Sequence, residues 1–409
     1  MLHCQGIEPG GGMDLHRRTV LRGSLAGLGL AGLGGCAALP AATVASGAAS
    51  ARPRLAPLRA RPERLFDITV CLRPFRAAGP RLDTERVGDA LVVHNYGHGG
   101  SGWSLSWGSA EIAVGQAMAS SPRRVAVVGC GALGLTAAIV AQRAGAEVTI
   151  YARDLLPQTR SSRATGMFTP HSRIALASAV DPGFPALWER MARTSFKAYR
   201  GYLGLPGSPV EFIDAYDVYD LAPPPPPAAA AQSGPPPLPF VNYGDRIGDL
   251  LGEGEDLPPE ASPFSGARVV RGSNLMFNIA DYGHTLMTDF LLAGGKIHQR
   301  EFHTPSELGE LDEKVVINCP GYGARALWRD ESIVPVRGQI GWLIPQPEVN
   351  YSLFYKRVSM VPRRDGIVVQ SLAGGDMKGF GDDHEVADRA ESERSVAVLS
   401  GLMARLIAP

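Results

Sequence analysis

Cysteine is scarce, with five among 409 residues. Cys4 and Cys36 lie near the amino end, while Cys71, Cys130 and Cys319 stand far apart in apolar or glycine-rich runs. There is no CxxC pair and no zinc-ligand spacing, so the three internal thiols are expected as buried small hydrophobes rather than disulfides or ligands. The histidines lack ligand spacing too, and no metal is expected. Net charge is missing as well, because 40 basic side chains cancel 40 acidic ones. Without a basic excess to neutralise phosphates, nucleic acid is not an expected partner. Long apolar runs are also absent. The candidate stretch Thr19 to Ala31 is broken by Arg22 and is shorter than the ~20 residues a bilayer span needs.

That stretch follows Arg17-Arg18 and has the form of a twin-arginine export signal over residues 1–42, with Met13 an alternative start to Met1. Leu33-Gly34-Gly35-Cys36 reads as a lipobox, which would attach the exported chain to a membrane through lipidated Cys36. Simple cleavage near Ala41-Ala42, without lipid, is the alternative. The twin-arginine route carries folded proteins to the periplasm, and this suits a protein that must acquire a cofactor before export. Composition makes residues 43–62 a linker. The two proline runs within residues 222–239 predict a polyproline-like surface excursion.

Between these segments, hydrophobic periodicity predicts strands at Phe66–Cys71, Ala90–Val93, Arg124–Val128, Glu147–Tyr151, Lys296–Phe302, Lys314–Asn318, Gly338–Ile344 and Gly366–Gln370. Helices are predicted at Gly102–Met118, Leu133–Arg143, Tyr282–Ala293 and Glu391–Ile407. The segment 124–151 is a βαβ unit. One nucleotide domain cannot use all these strands, so the expected fold is α/β. It combines a Rossmann-like domain, whose parallel sheet is discontinuous in sequence, with a mixed-sheet α+β substrate domain.

Gly129-Cys130-Gly131-Ala132-Leu133-Gly134 is a GxGxxG run between a strand and a helix. The first glycine permits the tight turn, the second lets backbone approach a pyrophosphate, and the third allows close helix–strand packing. Phosphates would then meet the free N–H groups at the helix start. The second strand ends in Arg153-Asp154, where an acidic residue for a ribose hydroxyl is expected. Asp154 fills that role one position late, and Arg153 leaves a 2′-phosphate, hence NADP, open on this motif alone.

A second glycine-rich element, His94-Asn95-Tyr96-Gly97-His98-Gly99-Gly100-Ser101-Gly102, also precedes a helix. It exposes backbone N–H groups where they can stabilise negative charge. A structural turn with incidental histidines is the bland reading. With Trp107-Gly108-Ser109-Ala110 behind it, the string resembles the signature of the D-amino-acid oxidase family. Leu72-Arg73-Pro74-Phe75-Arg76, Val315 to Gly321 and Arg337-Gly338-Gln339-Ile340 resemble further segments of that family.

The resemblance implies FAD, with Gly99, Gly100, Ser101, Gly102, Trp103 and Ser104 at the isoalloxazine. Arg160, Ser161, Gly166, Met167 and the backbone of Phe302 would be further flavin contacts. Arg73 is implied as the clamp on a substrate carboxylate, where a planar guanidinium offers two parallel donors. Of two family tyrosines four apart, Tyr355 matches the first when counted back from Val361-Pro362, and Ser359 replaces the second. Tyr351 and Tyr355 share the same spacing. The implied activity is oxidative deamination of a D-amino acid, with dioxygen reduced to peroxide. A dehydrogenase passing electrons to a quinone or carrier is the alternative, and amines or N-substituted amino acids stay open as substrates. A non-catalytic NAD(P)-binding or ligand-binding exported lipoprotein is the reading from another class.

Chain order departs from the family. Its Gly-rich fingerprint comes first and the HNYGHGG element last, whereas here His94 precedes Gly129. A circular permutation is therefore expected. Residues 63–123 would be the family's C-terminal element moved forward, and 124–180 the FAD-binding βαβ. Residues 181–409 would form the substrate domain interleaved with FAD-domain strands.

Overall fold

A computed structural model describes residues 51–221 and 237–407. The export signal, Cys36 and nearly all of the proline insert lie outside the described residues. The described chain begins with strands β1 (Leu65–Arg76), β2 (Thr84–Val87) and β3 (Ala90–His94), then helix α1 (Gly102–Ala117). Strand β4 (Arg124–Val128), helix α2 (Ala132–Arg143) and strand β5 (Glu147–Ala152) form the βαβ unit. Helix α3 (Phe184–Tyr199) is followed by β6 (Val210–Asp220), β7 (Glu255–Asp256) and β8 (Ala267–Phe277). Helix α4 (Ile279–Leu292) leads into β9 (Lys296–Gln299) and β10 (Val315–Asn318). The remainder comprises β11 (Ile333–Leu343), β12 (Tyr351–Tyr355), β13 (Val358–Arg363), β14 (Gly366–Ser371) and helix α5 (Arg389–Met403).

Two sheets result. The first has six strands in the order β2-β3-β10-β4-β5-β9, parallel throughout except for the β2–β3 hairpin. Its central strands are continuous apolar runs because both faces are covered. Val125 and Val127 face the core shared with α1 and α2, and Ala126 and Val128 pack on the other side with Phe302 and Leu308. Discontinuity in sequence is explicit here, since β10 lies between β3 and β4.

The second sheet has eight strands in the order β1-β11-β14-β13-β12-β6-β8-β7. It is mixed: β6 and β12 run parallel, and the other pairs are antiparallel. One face packs Val396, Leu399 and Leu402 of α5 against Tyr216, Tyr351, Leu353, Tyr355 and Met360. The opposite face carries Ile213, Ile340, Trp342, Val361 and Val368, and part of it is left open as a cavity floor.

Three local expectations change. Strand β1 runs past Cys71 to Arg76. Pro74 is tolerated because β1 is the sheet's edge, where a missing N–H leaves no ladder bond unmade. Strand β9 ends at Gln299, three residues before Phe302. The stretch read as linker is partly core: Leu55, Leu58 and Ala60 are buried beside α5. Cys71, Cys130 and Cys319 are free thiols and buried.

Candidate active site

Both glycine-rich elements open onto one cleft. Helix α2 starts at Ala132 with Gly131 as its cap residue, and no side chain caps it from that position. Helix α1 starts at Gly102, and its cap residue Ser101 turns its hydroxyl to the carbonyls of Thr169 and Ser172 instead. A helix start has N–H groups with no partner inside the helix, and here two such starts face the same space. A chamber of about 300 Å³ is lined by Gly129, Gly131, Ala132, Leu133, Arg153, Asp154 and Phe302. A larger one of about 600 Å³ is lined by Arg73, Gly99, Gly100, Gly102, Trp103, Met167 and Ser359. Ala132, Leu133, Arg160, Ser161, Gly321 and Tyr322 belong to both walls, so the two chambers are one elongated cleft.

The glycines are there because backbone comes too close for a side chain. Gly129 has φ +100°, and a Cβ on it would run into the carbonyl of Cys319. Gly99 has φ +54°, and a Cβ there would strike the carbonyl of Arg173. Both positive φ values lie where glycine is favoured. At Gly131 a Cβ would lie 2.7 Å from Ser161 Oγ, the hydroxyl that accepts the Ala132 N–H at 3.0 Å.

The residues present fit a bound FAD. Among the described residues, two buried polar atoms on the cleft wall have no protein partner: Thr159 Oγ1 in the smaller chamber and His98 Nδ1 in the larger. Unpaired buried polar atoms are costly, and a polar ligand would satisfy them. The other ring nitrogen of His98 bonds Ser109 Oγ at 2.8 Å, and Ser109 bonds Asn95. Burial pushes the His98 imidazole down to about 3, so it is neutral at ordinary pH. His94 is fully buried and bonds Asn318 at 3.0 Å, a structural role. Arg153 pairs with Asp154 at 2.8 Å and Glu301 at 3.2 Å. Two carboxylates around that guanidinium disfavour a 2′-phosphate there and suit ribose hydroxyls.

Arg73 projects from β1 over Gly338 of the neighbouring strand, where a Cβ would meet its guanidinium at 2.6 Å. Among the described residues it has no carboxylate partner, unlike Arg160, which grips Glu385 with bonds of 2.8 and 2.6 Å. A second cavity cation, Arg173, donates to the carbonyls of Asp376 (2.8 Å) and Gly375 (3.1 Å). Burial first, and repulsion from Arg73 second, push its guanidinium down to about 10. This end of the cleft is therefore electropositive and holds a guanidinium free to take a carboxylate.

Several expected contacts sit differently. Tyr351 and Tyr355 do not reach the cavity. Successive strand residues face opposite sides, and the odd-numbered tyrosines of β12 point into the core under α5, while Ser352 and Phe354 face the cavity. Tyr355 Oη instead bonds Asp220 at 3.0 Å, and Tyr351 Oη bonds the Ala56 carbonyl. Ser101, Ser104, Gly134 and Gly166 stand one layer behind the wall. Ser104 Oγ accepts the Thr169 N–H at 2.8 Å, and a Cβ on Gly166 would meet the Phe277 carbonyl at 2.6 Å. Arg173, Asp217, Glu301 and Tyr322 line the cleft without any motif that would have picked them out.

The family model described as DAO, FAD dependent oxidoreductase, matches residues 124–408. A D-amino-acid oxidase of Rubrobacter xylanophilus is 31% identical over 238 residues, covering 53% of this chain and 58% of that protein. A D-amino acid oxidase of Dugesia ryukyuensis is 38% identical over 81 residues, or 20% of this chain and 24% of that one. A D-aspartate oxidase of Cryptococcus neoformans var. grubii is 46% identical over 52 residues, 12% of this chain and 13% of that one. The matches thus span at most 58% of these relatives' lengths. Among solved structures, L-amino acid deaminase from Proteus vulgaris aligns with 69% of this chain and 75% of its own, at a TM-score of 0.43 and 14% identity.

Proposed function

Since the chain belongs to the DAO family of FAD dependent oxidoreductases, we propose that it is an oxidase that deaminates D-amino acids, with dioxygen as electron acceptor. The net reaction takes the amino acid to its imino acid and dioxygen to hydrogen peroxide, and water then releases keto acid and ammonia. The observation that carries this reading is Arg73, a guanidinium with no carboxylate partner among the described residues, on the same chamber wall as Gly99, Gly100 and Trp103.

FAD, when bound, supplies the two-electron acceptor. The chain's own residues do the rest. Gly129 to Leu133 would hold the pyrophosphate at the α2 start, Asp154 and Glu301 the ribose end, and Gly99 to Trp103 the ring. Arg73 would fix the substrate carboxylate through two parallel N–H donors and so restrict how the α-carbon is presented. Arg173 adds positive potential and is itself held by two carbonyls. Trp103 and Leu133 line the wall and exclude water.

The inverted order of the two glycine elements reads as a circular permutation. Helix α1 ends at Ala117 and β4 starts at Arg124, so one short link separates them. At the other side, the Leu58 N–H lies 3.2 Å from Met403 Sδ, bringing the segment before β1 against the last helix. Joining that pair and opening the α1–β4 link would restore the family's order, and such exchanges are tolerated where ends lie close together. Export by the twin-arginine route, with Cys36 lipidated at a membrane, completes the proposal. The test is purified holoenzyme supplied with D- and L-amino acids, glycine, sarcosine and simple amines. Keto acid and peroxide in equal amounts from D-amino acids are expected. Turnover of L-amino acids alone would overturn the stereochemical assignment, and electrons reaching a quinone without peroxide would identify a dehydrogenase.

A further inference from the structure

The cavity is not uniformly cationic. On the eight-stranded sheet, Gln370 pairs with Ser359, Ser359 with Phe354, and Phe354 with Asp217. Cross-strand partners point to the same face, and all four line the larger chamber. The floor is therefore a row of side chains that ends in a carboxylate on β6. Among the described residues Asp217 has no ion-pair or hydrogen-bond partner, whereas its strand neighbour Asp220 is bonded to Arg405 and Tyr355. Burial alone raises the Asp217 carboxyl above the usual range. No arginine offsets that burial, although Arg73 acts on Arg173 and Cys71. The cleft thus has two charged ends of opposite sign. Arg73 and Asp217 are not neighbours, since β11, β14, β13 and β12 intervene.

We propose that Asp217 is the counter-charge for a cationic group at the far end of the substrate's side chain, so that the enzyme prefers long basic amino acids of the lysine and arginine class. The inference rests on the amino-acid reading above. An α-carboxylate on Arg73 leaves the side chain to run along the Gln370–Ser359–Phe354 row. Only a long side chain can carry a distal cation along that row toward Asp217, since each strand crossed adds roughly 5 Å. Phe354 offers an apolar surface midway for the methylene stem. Asp217 is half-buried, a carboxylate partly withdrawn from water without a counter-ion is unfavourable, and an arriving ammonium or guanidinium would remove that penalty.

The experiment compares D-lysine and D-arginine with D-norleucine, which has an alkyl chain and no distal cation, in wild-type holoenzyme and in Asp217→Asn. Removing a charge-assisted hydrogen bond from the cleft is expected to lower the ratio of kcat/KM for D-lysine over that for D-norleucine by about 10- to 100-fold. In parallel, D-lysine should raise the thermal midpoint of wild type more than that of Asp217→Asn, a binding readout independent of turnover. A wild-type enzyme that favours D-norleucine, or a ratio unchanged in Asp217→Asn, would overturn the proposal while leaving the oxidase reading intact. If no D-amino acid is turned over, the oxidase reading fails. The thermal shift then decides the role of Asp217, and equal shifts in the two proteins would rule it out.

Discussion

Replacing Arg73 by alanine should separate a binding role from a structural one, because the two predict opposite stability changes. An arginine held in a buried ion pair leaves an uncompensated charge when removed, at about 3–5 kcal/mol. Arg73 has no such partner among the described residues, and it repels Arg173, contributing to that guanidinium's fall to about 10. Its removal should therefore leave the thermal midpoint unchanged or slightly raised. What alanine takes away is the charge-assisted grip on the substrate carboxylate, worth about 1.5–3 kcal/mol, or roughly a 10- to 100-fold drop in kcat/KM. Arg73→Lys keeps the charge and loses the fork, so its effect should be intermediate. The assay is steady-state peroxide release alongside calorimetric melting of FAD-loaded protein. Catalytic efficiency within about twofold of wild type, or a marked fall in the midpoint, would exclude Arg73 as the carboxylate clamp.

Further outcomes follow from the same geometry. Gly129→Ala places a Cβ against the Cys319 carbonyl at a φ of +100°, so the purified variant should lose its flavin absorbance. Full FAD occupancy would contradict the phosphate assignment. Tyr355→Phe removes a hydroxyl bonded to Asp220 and Arg405 and should lower stability by about 1 kcal/mol with kcat/KM unaffected, as read by urea unfolding and turnover. A large kinetic effect would return Tyr355 to the site. His98 titrates at about 3 in the fold against 6.5 free, so the unfolded chain binds the extra proton first. Stability is then complete above pH 6.5 and declines as pH falls toward 3, by about 2 kcal/mol between pH 7 and 5 from this residue alone. His94, pushed down to about 4 chiefly by burial, adds in the same direction. Unfolding curves that are flat across pH 7 to 5 would mean that neither imidazole is held neutral.

What was legible in the residues was what depends on local spacing. The GxGxxG run between β4 and α2 and the HNYGHGG element before α1 are contiguous, and their glycines answer to backbone constraints visible within a few positions. Strand faces were not legible. In β12 the side-chain period of two sends Tyr351 and Tyr355 to one side and Ser352 and Phe354 to the other, and only the docking of α5 decides which side is core. Isolated charges were equally silent. Strand β6 carries Asp214, Asp217 and Asp220, and nothing in their order marks Asp217 as the one facing the cavity. Arg173 and Glu301 reach the cleft from loops whose course is set by distant packing. Leu55 and Leu58 read as linker from composition because their partners on α5 lie more than three hundred positions away.

The most direct test is a crystal structure of the FAD-loaded protein. One FAD per chain is expected, with its pyrophosphate at Gly131 and Ala132 and its isoalloxazine between Gly99–Trp103 and the Arg73 guanidinium. An isoalloxazine outside the chamber walled by Gly99 and Arg73, or a pyrophosphate away from the start of α2, would contradict that placement.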